Sequence, residues 1–162
     1  MMKYQFRKYN PKYKVFYQKE KVKLKKILPK DVNIEHIGST AVPRLGGKGI
    51  VDILIGINKK DLLNIKNILQ KHKYSFPIGG DKKRLYVEKD YRYKGQTRRV
   101  HLQIVPKNSK EWNNPIKIRE HLKKDKNKAR KYAELKKKAV KISKGKGKIY
   151  KNYKKSFLNK LK

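Results

Sequence analysis

Residues 33–57 read NIEHIGSTAVPRLGGKGIVDILIGI, a stretch with no net charge in a chain that is otherwise very basic. Glu35, Arg44, Lys48 and Asp52 are its only Asp, Glu, Lys or Arg, so the lysine excess has been kept out of it. An apolar strand expected over 32–37 runs into Gly38-Ser39-Thr40. A turn with Pro43 and a glycine-rich connection (Gly46, Gly47, Gly49) follow. A second apolar strand, expected over 50–57, carries one carboxylate, Asp52. Glycine lets backbone approach a ligand closely, and a Ser/Thr pair opening a short helix offers amides and hydroxyls to phosphate oxygens. The spacing fits neither the Walker loop nor the dinucleotide fingerprint G-x-G-x-x-G.

Working outward, FYQKEKVKLKKIL (16–28) lies in a helix expected from Lys12 to Leu28, stopped by Pro29. Phe16, Leu24 and Ile27 form its apolar stripe with Glu20 in the middle, a carboxylate that needs either a structural partner or a place in the site. DLLNIKNILQK (61–71) reads as an amphipathic helix with Asp61 as N-cap. Alternation over 84–91 and 98–105, with Gly95 between, predicts a hairpin. On its second arm Val100, Leu102 and Ile104 face one way, and Arg99, His101 and Gln103 form a polar stripe facing the other. Asn114-Pro115 is expected to start a helix, Asn127 to cap a second, and Gly145 and Gly147 to separate a third. Tyr132, Tyr150 and Tyr153 read as core residues of these helices, with base stacking as the other reading.

The motifs resemble the GrpB family of the nucleotidyltransferase superfamily. That family's signature is a His-Ile-Gly-Ser-Thr loop (His36 to Thr40 here), then Val-Pro, a lysine, and Ile-Asp-Ile on a strand. HLQIVPKNSKEW (101–112) looks like its His-Leu-His strand with a trailing tryptophan. IREHL (118–122), which holds Arg119, YAELK (132–136) and YKNYKKSFL (150–158) resemble its C-terminal helices. The resemblance covers nearly the whole chain. It implies an α/β (α+β) nucleotidyltransferase-like fold, with a mixed sheet flanked by helices and a C-terminal helical segment. The expectation is one domain over 1–162, with a sheet-containing core over 1–112 and basic helices over 113–162. The strands are expected to be packed by helices on one side.

The resemblance also implies roles. Gly38, Ser39 and Thr40 would hold phosphate oxygens, Lys48 would neutralise charge beside them, and Asp52 would bind Mg²⁺ or Mn²⁺. Arg84, Arg99 and Gln103 on the neighbouring strands join the phosphate-binding set, and His36, Glu20 and Arg119 are further candidates. The usual strand carries a second acid two residues after the first, where this chain has Leu54, and the third acid's strand shows His101 and Gln103. Glu88, which shares a face with Arg84 and Tyr86, could supply a second carboxylate. The family pattern also has glycine at Arg44 and a second His at Gln103. Three readings stay open. One is a transferase moving a nucleotide from a triphosphate onto RNA or another acceptor. The second is an inactive module that binds nucleotide or RNA. The third is metal-independent chemistry with His101 as acid or base.

Composition bounds the partners. The chain holds 48 Lys plus Arg against 12 Asp plus Glu, a net charge of +36, and no cysteine, which excludes disulfides and thiolate metal sites. An A/T-rich genome would explain the lysine; it would not explain the acids, of which a chain of ordinary usage would have roughly 20. RNA, and also DNA, are therefore expected partners, bound through their phosphates, with a purely compositional excess of charge as the other reading. No apolar run approaches the roughly 20 residues that cross a bilayer, and MMKYQFRKYN lacks a signal-peptide apolar region, so a soluble cytoplasmic protein with no membrane partner is expected.

Overall fold

The computed structural model of the chain describes residues 5–77, 84–93, 95–144 and 146–162. Among these the elements run α1 (Lys12–Ile27), β1 (Asn33–Ile37), a 3-10 turn (Ser39–Ala41), β2 (Val51–Ile57) and a 3-10 turn (Lys59–Asp61). They continue with α2 (Leu62–Lys71), β3 (Leu85–Tyr93), β4 (Gln96–Pro106), α3 (Lys110–Lys124), α4 (Lys126–Ser143) and α5 (Gly147–Asn159). The sheet order is β1-β2-β4-β3. β2 and β4 pair in parallel, and the outer strands run antiparallel to them, which makes the sheet mixed.

The period-2 pattern of the strands divides the residues between the two faces. Val51, Ile53 and Ile55 of β2 and Val100, Leu102 and Ile104 of β4 pack against Phe16, Tyr17 and Leu24 of α1 and Ile65 and Leu69 of α2. β2 is buried almost throughout, as expected of a central strand. α1 ends where Leu28 turns extended (φ −93°, ψ 157°), because the residue before a proline is driven out of the helical region.

The expectation of helices on one side is corrected. α3 covers the opposite face, where Trp112 and Ile116 pack on Ile37, Leu54 and Val105. Gly56 makes this possible, since a Cβ there would lie 2.8 Å from the Trp112 ring. Two helix starts also differ. Ser109, not Asn114, caps α3 by accepting from the Trp112 amide at 3.1 Å, and Pro115 falls inside the helix. Asp125, not Asn127, caps α4 through the Lys128 amide at 2.9 Å. In both cases a side-chain acceptor lies a few residues nearer the preceding element and satisfies an early amide, while Pro115 forfeits a single backbone bond. Asp61 makes no side-chain cap, and a 3-10 turn leads into α2 instead. Gly95, with φ 73°, serves the hairpin as expected, while Gly145 lies outside the described residues.

The C-terminal helices close on the loop after β1. Val42 and Leu45 are buried with Leu122, Tyr132 and Leu161. Tyr132 stacks on Phe157 with centroids 5.1 Å apart, and Tyr150 is 2% exposed. Tyr153 is 38% exposed, so the core reading holds for the first two tyrosines and fails for the third.

His36 of β1 and Arg44 of the loop after it each carry a measurable consequence. Arg44 has φ 66°, the left-handed region that favours glycine, which accounts for a glycine in the motif at this position. Arg44→Gly is expected to raise stability by about 1 kcal/mol, read by chemical denaturation. A loss of stability would refute the strain.

His36 is stacked on Tyr17 with centroids 4.6 Å apart, and burial lowers its pKa to about 4. An unfolded histidine titrates near 6.5, so the unfolded chain binds more protons between the two values and stability rises with pH there. Lowering the pH from 7 to 5 is expected to cost about 2 kcal/mol through this residue. Parallel pH–stability curves for the parent and His36→Gln would contradict it.

Candidate functional site

The site face of the sheet is built row by row from strand register. Asp52 pairs with His101, and His101 with Glu88, so the three side chains stand abreast on β2, β4 and β3. The His101 imidazole lies between the carboxylates, Nδ1 3.6 Å from Asp52 and Nε2 3.6 Å from Glu88. Arg99 reaches Glu88 at 3.3 Å and donates twice to Asp90, at 2.7 and 3.0 Å, holding the Asp90 carboxyl below its usual range. In the next row Leu54 pairs with Gln103 and is wholly buried under Trp112 and Ile116, so the position expected to carry a second acid belongs to a dry apolar cluster.

The β1 loop supplies the rim. Gly38 has φ 74°, and a Cβ on it would lie 2.7 Å from the Asp52 carboxylate; conformation and space both demand glycine. Ser39 packs against Gly47, and the Lys136 ammonium, on α4, lies beside the same glycine and donates to the Gly46 carbonyl. Lys48 and Lys154 approach one aromatic ring from α5, with Nζ 5.0 and 4.5 Å from the Tyr150 centroid. Burial first, then the neighbouring lysines, pushes Lys136 down to about 7 and Lys154 to about 8, and Lys48 is lowered as well, while Asp52 raises all three.

Sequence reading missed Lys136 and Lys154 among so many lysines. The signal was their phase. Lys136 falls between Tyr132 and Ala139 on the buried stripe of α4, and Lys154 lies four residues after buried Tyr150. A lysine on an apolar stripe is one the fold has drawn inward.

Ser39, Lys48, Asp52, His101 and Arg99 are thus gathered around the start of β2 and its neighbour. The remaining candidates sit differently. The Thr40 hydroxyl is buried against His36 Nε2 at 3.0 Å, and His36 lies against α1 on the opposite face. Glu20 accepts from the Tyr74 hydroxyl in the main core, the structural alternative for that carboxylate. Arg119 spans from α3 to β1, donating to Glu35 at 2.6 Å and to the His36 carbonyl at 2.8 Å. Arg84 donates to Gln103 Oε1 at 2.9 Å. Gly38, Ser39, Arg84 and Gln103 line a cleft of about 540 Å³ between the site face and helices α3 and α5.

Among the described residues no group of three His, Cys, Asp or Glu is arranged to hold a metal ion. Asp52 and Glu88 are separated by an imidazole, and the two-ion arrangement does not fit this donor set. One carboxylate together with a ligand's own phosphates fits a single Mg²⁺. No helix among the described residues is long and apolar enough to cross a membrane.

Comparison with known proteins agrees with this architecture. A GrpB protein of Enterococcus faecalis superposes with TM-score 0.77 at 25% identity, covering 96% of this chain and 98% of that one. The Cid1 poly(U) polymerase, solved with Mg 3'-dATP and with MgGTP, superposes with TM-score 0.58 at 12% and 14% identity, over 84% of this chain and 45% and 46% of that one. At that identity the likeness shows the nucleotidyltransferase fold alone. UPF0157 protein YqkA of Bacillus subtilis is 30% identical over 132 residues, 80% of this chain and 37% of that protein. UPF0157 protein VC_A0354 of Vibrio cholerae is 42% identical over 53 residues, 33% of this chain and 28% of that protein. The chain therefore matches about a third of the length of these curated relatives. The family model described as GrpB protein matches residues 3–162, and the chain belongs to the GrpB family.

Proposed function

We propose that the protein binds a nucleoside triphosphate at the Gly38-Ser39-Thr40 loop and transfers the nucleotide to an RNA end. The observation that carries the reading is the convergence of Lys48, Lys136 and Lys154 on a glycine-lined loop beside Asp52. Ammonium groups crowded together and withdrawn from water depress one another's protonation, and a polyanion is the partner that relieves the crowding. Ser39 would donate its hydroxyl and amide to phosphate oxygens. Thr40 would shape the loop through His36. Asp52 would hold a Mg²⁺ brought in with the nucleotide, and the ion would supply charge neutralisation at the reacting phosphorus. His101, held between Asp52 and Glu88, would accept the proton of the RNA hydroxyl as its oxygen bonds to the α-phosphorus and the α–β phosphoanhydride bond breaks, releasing pyrophosphate. The Cid1 poly(U) polymerase, which shares this fold and was solved bound to Mg-nucleotides, supports the class of substrate.

The acceptor reading rests on charge. Residues 117–162 hold 20 Lys plus Arg against three acids. RNA phosphates would lie along this face, with DNA as a weaker alternative. Buried Leu54 favours a second reading, a module that holds nucleotide without turning it over, because one strand carboxylate is missing.

Titration of ATP and GTP into the parent, Ser39→Ala and Asp52→Ala, with Mg²⁺ and with EDTA, tests both. Ser39→Ala is expected to weaken binding in either condition. Asp52→Ala is expected to leave metal-free binding intact or tighter, since a bare carboxylate repels the triphosphate, and to abolish transfer of label to RNA. A parent that binds but never labels RNA is the binding module, and no nucleotide binding in any condition sinks the phosphate reading. RNA affinity should fall with salt at a log-log slope of about −0.7 per phosphate contact. A flat response would remove RNA from the account.

A further inference from the structure

The cleft beside the lysine cluster has chemistry the phosphate reading does not use. Its volume of about 540 Å³ lies within the range of small-molecule sites. One end holds Ser39 and Lys154; the floor farther out is formed by Arg84, just before β3, with Tyr86 of β3 and Gln103 of β4, under Asn114 and Asn152 of the helices. Register puts Tyr86 opposite Gln103, one row beyond the His101 and Glu88 pair, so this floor adjoins the row that holds Asp52.

Arg84 and Gln103 are bonded to each other in one sense only. A guanidinium can donate and never accept, so the bond at 2.9 Å fixes the Gln103 carbonyl oxygen toward Arg84 and leaves the amide NH₂ as the group Gln103 has to offer. Arg84 Nε is buried and has no hydrogen-bond partner among the described residues. Buried donors in folded proteins are almost always satisfied, and Arg84 belongs to the lining of the cleft. Arg84 and the Gln103 amide therefore present donors to the cleft, beside the Tyr86 ring.

We propose that Arg84 and Gln103 read the base of the bound nucleotide and select guanine and uracil, which carry a keto oxygen at purine C6 or pyrimidine C4, over adenine and cytosine, which carry an amine there. This rests on the triphosphate reading of the neighbouring loop. Guanine offers O6 and N7, the acceptor pair that a guanidinium engages with two bonds, and uracil offers O4 as a single acceptor. Adenine and cytosine turn an exocyclic amine toward the same place, which would set donor against donor at the Arg84 guanidinium and the Gln103 amide. Tyr86 supplies a ring face for stacking that any base can use, so discrimination falls to Arg84 and Gln103.

Binding of GTP, UTP, ATP, CTP and inorganic triphosphate to the full chain, measured by calorimetry in EDTA, tests the assignment. GTP and UTP are expected to bind about tenfold or more tightly than ATP and CTP, the discrimination of one good paired contact. In Arg84→Met the four should converge while inorganic triphosphate binds as in the parent. Gln103→Glu keeps a partner for Arg84 and so keeps the fold, but replaces a donor with an acceptor. Its ratio of keto to amino affinities should fall, whatever the added charge does to all four together. Equal affinities in the parent overturn this proposal alone. A uniform loss in Arg84→Met that includes inorganic triphosphate also overturns it, by making Arg84 a phosphate contact. Failure of every ligand to bind overturns it together with the phosphate reading.

Discussion

The Lys136 ammonium, drawn into the protein and donating to the Gly46 carbonyl, is the contact on which the site depends. It joins α4 to the glycine-rich connection between β1 and β2, and so fixes the C-terminal helices over the sheet. A charge removed from water is costly unless paired, and here a site carboxylate, Asp52, helps keep three lysines protonated against burial and mutual repulsion. The lysines thus form an incomplete cluster held in place by the packing of Tyr132 and Tyr150. Loop shape, helix placement and charge all follow from drawing those ammonium groups to one point.

The same constraint explains the glycines. Gly38 stands so close to Asp52 that a methyl group would displace the carboxylate, and Gly47 is pressed between Ser39 and Lys136. Small residues here are the means by which a loop, a strand carboxylate and a helix lysine share one small volume. Arg44 shows the limit of that economy, since it holds a left-handed conformation without the freedom of glycine.

Much of this was legible in the sequence. Apolar periodicity gave the central strands, the polar stripe of β4 faced the site as its alternation implied, and the motif order pointed to the family. The less legible parts had physical reasons. Ser109 and Asn114 are both sound helix starts, and only the packing of Trp112 on Gly56 decides between them. Helices on the second face were missed because that face is largely polar, and its one apolar patch assembles from β1, β2, β4 and α3. Lys136 and Lys154 were hidden by abundance, since composition marks lysine as surface and only helical phase separates the inward ones. The missing second acid was visible as Leu54, but its burial under α3 belongs to tertiary structure.

Proton uptake on binding tests the central claim most directly. If the cluster is completed by a polyanion, ATP binding at pH 8 without metal must restore protons to lysines whose pKa values lie at about 7 and about 8. Calorimetry of that titration in two buffers of different ionisation enthalpy should report uptake of about one proton per nucleotide, reduced in Lys136→Met. Binding heats independent of the buffer, with ATP fully bound, would contradict the account.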